Sequence, residues 1–301
     1  MALTQSDISE LILPGLKAEF SLAYRNELQT DLVGQIATVI NTTQPIQRYA
    51  LMDNAPMMRE FIDERRASGL NLSTMNIVDK VFESTIAVDR RAMEDDQLDL
   101  IRLRVRDLAN RVSHHRHQLV VELLSNGDST IGYDGTALLS ESHRIRNSDY
   151  SNLLNDPLTA SALKTATAMM MSIPDNEGVP LGVSPDTLLV GPNQMWNALE
   201  IVESPGVSSS SGIINVFQGR LQVVVSPFIS GNNWFVLNTK RPMKAVILQQ
   251  RSDVPVEFSA LDHANGSESA FMRDRYYYGV RARYNVGPGL WQNVIGSKVT
   301  A

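Results

Sequence analysis

The stretch QLDLIRLRVRDLANRVSHHRHQLVVELLS, residues 97–125, decides how this chain is read. Leu98, Ile101, Val105, Leu108, Val112, His115, Leu119 and Leu123 follow one another at steps of 3, 4, 3, 4, 3, 4 and 4. Such steps lay one continuous, mostly apolar seam along a single helix face. Asp95 or Asp96 stands where a carboxylate caps the first turn and meets the positive end of the helix dipole. Asn126-Gly127 supplies a stop. At 1.5 Å per residue the helix runs roughly 42 Å, far beyond an ordinary globular helix. It is a strut, and a strut implies elements fastened along it.

Upstream, Thr42 to Arg91 reads as strand and loop. QRYALM is an extended run, and Arg59-Glu60 leads into a charged turn, Asp63-Glu64-Arg65-Arg66. In LNLSTMNIVDKVFESTIAVDRR, Phe82, Ser84, Ile86 and Val88 alternate with Glu83, Thr85, Ala87 and Asp89, the period of a strand with one wet face. The segment holds few large apolar side chains to offset the entropy of ordering it. It is expected to make few contacts within its own subunit and to be held from outside. Before it, Ser6 to about Ile40 is expected to be helical, with a capping box at Ser6–Ser9–Glu10 and an interruption at Pro14-Gly15. Phe20, Tyr24, Leu28 and Leu32 form a stripe whose packing partner is this chain or a neighbour.

Downstream, Leu158 to Met171 reads as a helix, Thr187 to Gly191 as a buried strand, and Pro192 to Glu200 as a helix with proline in its first turn. Ser208 to Gly212 is a polar tract. Leu221–Pro227, Asn233–Thr239 and Lys244–Arg251 are three strands, the two outer ones apolar enough to be buried on both faces. FMRDRYYYGVRARYNVG is the cleanest strand. Met272, Tyr276, Tyr278, Val280, Ala282 and Tyr284 share one face; Arg273, Arg275, Arg281 and Arg283 share the other. A strand of about 14 residues exceeds the usual length and is long enough to lie along the strut.

The 301 residues suffice for one large domain or two. The absence of cysteine excludes disulfides, thiolate nucleophiles and cysteine-held metal sites. A net charge of −6 argues against tight phosphate binding, though not against enclosing nucleic acid. No run is apolar enough for a membrane helix, and the first twenty residues lack a signal-peptide pattern, so folding in a cytoplasm is expected.

Local catalytic motifs are missing. His114 and His117 share a helix face but have no carboxylate at useful spacing, and His115 falls in the seam, so a packed helix face outweighs a metal site. Glu94, Asp95, Asp96 and Asp99 read as helix-start acids. Ser140 or Ser142 with His143 lacks a nucleophile elbow, so YDG and its neighbours read as a loop turn. Asp175-Asn176-Glu177-Gly178 lacks the last acid of a calcium loop and reads as a turn. No catalytic, cofactor or metal residue is assigned. The candidates that remain are inter-subunit contacts: Arg59, Glu60, Asp63, Glu64, Arg65, Arg66, Glu94, Asp95, Asp96, Arg273, Arg275, Arg281 and Arg283. Arginines of the last strand are expected to meet acids of a neighbour or to line a solvated face; contact with packaged DNA ranks third.

DKVFESTIAVDRRAMEDDQL (79–98), YDGTALLSESH (133–143), LQVVVSPF, NWFVLNT and, above all, AVILQQR followed by YYYGVRARYNVGPGLWQ resemble the Mu-like phage major head subunits, which have the Hong Kong 97-type capsid fold. The resemblance implies an α+β, non-enzymatic shell protein that assembles into hexamers and pentamers of an icosahedral head around the genome. It implies an N-terminal arm (1–41), an extended loop over a neighbour (42–91), a peripheral domain (92–157 and 268–301) and an axial domain (158–267). It further implies copies of itself, a separate scaffolding protein, the portal, a decoration protein and non-specific contact with double-stranded DNA as partners, with assembly in the host cytoplasm, no membrane and no cofactor. Lys80 is the only lysine of the loop, and nothing marks it for cross-linking. The second reading is another virion component, a tail-tube or minor head protein.

Overall fold

The computed structural model describes residues 5–52, 72–89, 91, 98–204, 215–253, 256–261 and 274–299. Its axis is the predicted strut, α3 (Leu98–Ser125). Ile101, Val105, Leu108 and Val112 are buried as the seam requires, whereas His115 and Leu119 are half-buried. From Ala109 onward Arg116, His117, Val120, Val121 and Leu124 are buried too, because protein closes over a second face of the helix. The stop works differently from the expectation. Gly127 is not left-handed; its missing Cβ makes room for Leu139, which also presses on Gly296.

The expected N-terminal helix is cut short. α1 (Gln5–Thr30) runs on through Pro14, which lies on its exposed side where water can satisfy the released carbonyl. The chain then makes one turn, α2 (Val33–Ile36), started by Asp31 accepting from the Val33 N–H, and becomes strand β1 (Ala37–Thr42). Thr38, Val39, Ile40 and Thr42 are β-branched and favour the strand. Leu16 and Phe20 are buried against α3 and the strand Val256–Leu261 of the same chain, Phe20 stacking on Phe258 at 5.2 Å; Leu28 is exposed.

The first sheet is built on β13 (Arg275–Pro288). On one side β4 (Lys80–Asp89) pairs with it antiparallel over ten residues, from Arg275↔Asp89 to Tyr284↔Lys80. On the other side β11 (Val246–Arg251) and β12 (Val256–Leu261) follow each other along it, and β1 adds in parallel to β11. Tyr276, Tyr278, Val280, Ala282 and Tyr284 point into the core under α3, as the alternation predicts. This corrects the picture of residues 42–91 as nearly free of their own subunit, since β4 is a full member of the sheet. The remaining excursion is a hairpin, β2 (Ile46–Met52) with β3 (Leu72–Val78), whose base is anchored by a small cluster of Tyr49, Ile77 and Ile247.

The second sheet has the order β7-β14-β10-β8-β9, formed by Leu153–Leu154, Val294–Ser297, Trp234–Leu237, Thr187–Val190 and Gln222–Val225. α4 (Ala160–Ser172), capped by Thr159, and α5 (Met195–Glu203) pack against it. Of the three strands predicted between Leu221 and Arg251, the last, β11, is buried nearly throughout as expected and so is the middle one, β10, while β9 is an edge strand with only Val224 fully inside. Position in the sheet overrides apolar content. The topology also crosses the expected domain limits: β11 and β12 belong to the first sheet, and β14 to the second. A two-stranded ribbon, β5 (His143–Ile145) with β6 (Ser148–Tyr150), completes the strands among the described residues.

Candidate functional site

The surface that sequence reasoning singled out is the outer face of the first sheet, away from α3. Arg281 stands opposite Glu83 on β4 and Glu257 on β12, and Arg275 stands opposite Asp89. Arg283 reaches back to Asp79 of its own chain, 2.8 Å from guanidinium nitrogen to carboxylate oxygen, and the Asp79 side chain is only 5% exposed. The described arginines thus face acids of the same subunit across the strands. Opposite charges on directly paired residues stabilise register modestly. Arg59, Glu60, Asp63, Glu64, Arg65, Arg66, Glu94, Asp95, Asp96 and Arg273 lie outside the described residues.

The histidines are packing residues. His115 Nδ1 is 2.8 Å from the Tyr284 hydroxyl, and its ring sits against Phe82. His114 and His117 both set ring edges against Phe228, at 5.0 and 5.1 Å. His117 is buried with its Nε2 lacking a hydrogen-bond partner; burial and then the nearby His114 push it down to about 4. Among the described residues no group of His, Asp and Glu is arranged to hold a metal ion.

His143 is fully buried, with Nδ1 2.8 Å from Asp134 Oδ2 and Nε2 3.2 Å from Asn152 Oδ1. Its ring lies flat on Trp291 at 3.9 Å. Both nitrogens are taken by Asp134 and Asn152 and neither by a serine hydroxyl; Asn152 Oδ1 also accepts from the Ser140 N–H, and the Ser140 hydroxyl accepts from the Ser142 N–H. The Asp175 carboxylate accepts from the N–H groups of Glu177 and Val179 with Gly178 left-handed, which makes the predicted turn.

Three polar arrangements carry no local signature and were missed. Arg116 is 3% exposed and faces the equally buried Asp31 at 3.5 Å, beside Tyr24. Burial raises the carboxyl of Asp31 and the hydroxyls of Tyr24 and Tyr284. The Tyr49 hydroxyl donates to Gln249 Oε1 at 2.9 Å, also buried, and its pKa is pushed up to about 12. Asp186 accepts from the backbone of Thr239 and Lys240, joining the second sheet to the loop before β11. Each pairs residues far apart in the chain, so spacing could not announce them.

An extended sheet lying under one long helix, a second sheet beside it and the β2–β3 hairpin make up a fold shared with subunits of solved capsids. The chain resembles a subunit of the procapsid of bacteriophage JBD30 with a TM-score of 0.57 and 23% identity, covering 97% of this chain and 76% of that one. It resembles the virus-like particle of Pyrococcus furiosus with a TM-score of 0.56 and 13% identity, covering 93% of this chain and 98% of that one. The fold is therefore the Hong Kong 97-type capsid fold. Sequence narrows this further. The chain belongs to the family of Mu-like prophage major head subunits (gpT), whose model matches residues 10–156, 151–229 and 230–301. Two relatives are the Mu-like prophage FluMu major head subunit of Haemophilus influenzae (24% identical over 269 residues, 89% of this chain) and the major capsid protein of Escherichia phage Mu (20% over 265 residues, 88% of this chain). The chain covers 67% and 65% of their respective lengths. It is a major capsid protein of the tailed-phage head type.

Proposed function

We propose that copies of this chain pack side by side into the hexamers and pentamers of an icosahedral head that encloses double-stranded DNA. The observation that carries this reading is the β2–β3 hairpin, which is anchored to the first sheet through Tyr49 and Ile77 on Ile247 while Ile46 and Val78 stay more than half exposed. A hairpin standing alone in water is marginal, so a surface outside it must complete its packing. The first sheet with α1 and α3 would serve as the peripheral part and the second sheet with α4 and α5 as the axial part. The role is structural: the one histidine near candidate serines is sealed against Trp291 and held by Asp134 and Asn152. The charge-balanced sheet face and the net charge of −6 suit loose contact with packaged DNA. Assembly in the host cytoplasm, aided by a separate scaffolding protein and joined by the portal and a decoration protein, belongs to the same reading. Among the described residues no helix is long and apolar enough to cross a membrane.

The test is direct. Purified protein, with and without the scaffolding protein, is imaged in negative stain. Closed shells built of hexameric and pentameric clusters are the expected result. A compact monomer under all conditions would overturn the reading, and rings or tubes alone would favour a tail-tube component.

A further inference from the structure

The hairpin leaves the sheet at a tightly built point. Ile77 of β3 is 3% exposed and lies directly on Gly287 of β13. A Cβ added at Gly287 would stand 2.6 Å from the Ile77 Cγ1 and closer still to its Cδ1, and its three nearest atoms all belong to Ile77. Gly287 is not in the left-handed region, so backbone conformation does not require glycine there. The space it leaves is filled by the Ile77 side chain. Directly opposite on β11 is Ile247, completely buried, and Tyr49 of β2 closes the cluster from the other strand. Polar contacts reinforce it on three sides. The Tyr49 hydroxyl donates to Gln249, Asn285 Nδ2 donates to the Val78 carbonyl at 2.7 Å, and Arg283 pairs with Asp79.

We propose that Ile77 seated on Gly287, backed by the Tyr49–Gln249 bond, is a latch that sets the direction in which the hairpin leaves the sheet. Gly287, Ile77 and Tyr49 are then positioning residues for assembly, and any bending of the hairpin during shell formation takes place beyond the level of Tyr49 and Met75. This rests on the capsid reading above and adds to it the residues that aim the hairpin. The physical reason is leverage. A methyl group at 287 forces the base of β3 outward, and the five residues of strand beyond Ile77, at about 3.4 Å each, multiply a small tilt at the base into a large error at the far end.

The experiment compares wild type, Gly287→Ala, the double variant Gly287→Ala/Ile77→Ala, and Tyr49→Phe. Each is checked for folding by near-ultraviolet circular dichroism and thermal unfolding, then assembled and imaged. Gly287→Ala is expected to fold and to give at least tenfold fewer regular shells, with open sheets or particles of mixed diameter in their place; removing the Ile77 side chain in the double variant restores regular shells. Tyr49→Phe is expected to fold, to raise hydrogen exchange at the β3 amides by about tenfold, and to broaden the diameter distribution. Normal shells from Gly287→Ala, or failure of the double variant to restore them, overturns the latch. If Gly287→Ala does not fold, Tyr49→Phe decides, and shells as uniform as wild type reject the proposal. Failure of the wild type to form shells strikes the capsid reading instead.

Discussion

His143 has the side chain of a general base and the surroundings of a core residue. Replacing it with alanine removes the stack on Trp291 and leaves Asp134 and Asn152 facing an empty space. His143→Ala should cost about 2–4 kcal/mol in urea-induced unfolding. His117 makes the pH-dependent prediction. Its folded pKa, about 4, lies below its unfolded value near 6.5, so between those values the folded protein binds fewer protons than the unfolded chain. Its stabilising contribution is complete above about pH 6.5 and is lost as the pH falls through about 4, an effect on the order of 3 kcal/mol. His117→Gln should flatten that part of a curve of unfolding midpoint against pH; an unchanged slope would show that other groups set it. The spacing of His114, His115 and His117 was visible in the sequence. Their partners Phe228 and Tyr284 were not, because they come from strands and loops more than a hundred residues away.

At the scale of elements, β13 separates what pattern can show from what it cannot. Its two-residue alternation predicted both faces, and every inward residue from Tyr276 to Tyr284 is buried. Ala282→Asp, directly opposite Phe82, should therefore cost more than about 4 kcal/mol or prevent folding. Arg281→Ala, one residue along, should change stability by less than about 1 kcal/mol although Glu83 and Glu257 flank it, because that face is open to water. Equal losses in a denaturant titration would contradict the assignment of faces. The arginine row itself was legible, as a face that meets a neighbour's acids or water; what spacing could not show is that Arg283 pairs within the chain to Asp79. The boundary between α1 and β1 was misread for a related reason. Ile36 and Ile40 continue a four-residue step past the true helix end, and only pairing with β11 turns Ala37–Thr42 into strand.

At the scale of the molecule, the two sheets are woven through each other in sequence. β14 lies beyond β13 but belongs to the second sheet, and β11 and β12 lie among second-sheet strands but pair with β13. A fragment spanning residues 158–267 lacks β13 and β14. It is expected to show no cooperative thermal unfolding, whereas a native-like melt from that fragment would mean that the sheets are separable units.

The sequence by itself determined the strut, the long alternating strand, the absence of local catalytic motifs and the likeness to capsid subunits. All of these rest on periodicity or on residues close together in the chain, where spacing alone dictates which side chains share a face. Only the tertiary structure decided that β4 is built into its own sheet, that β10 rather than β9 is buried, that Arg283 pairs with Asp79 of its own chain, and that Ile77 rests on Gly287. Each of those depends on which strands become neighbours. Strand pairing joins backbone groups that every residue carries, so the choice of neighbour is set by how the whole core closes.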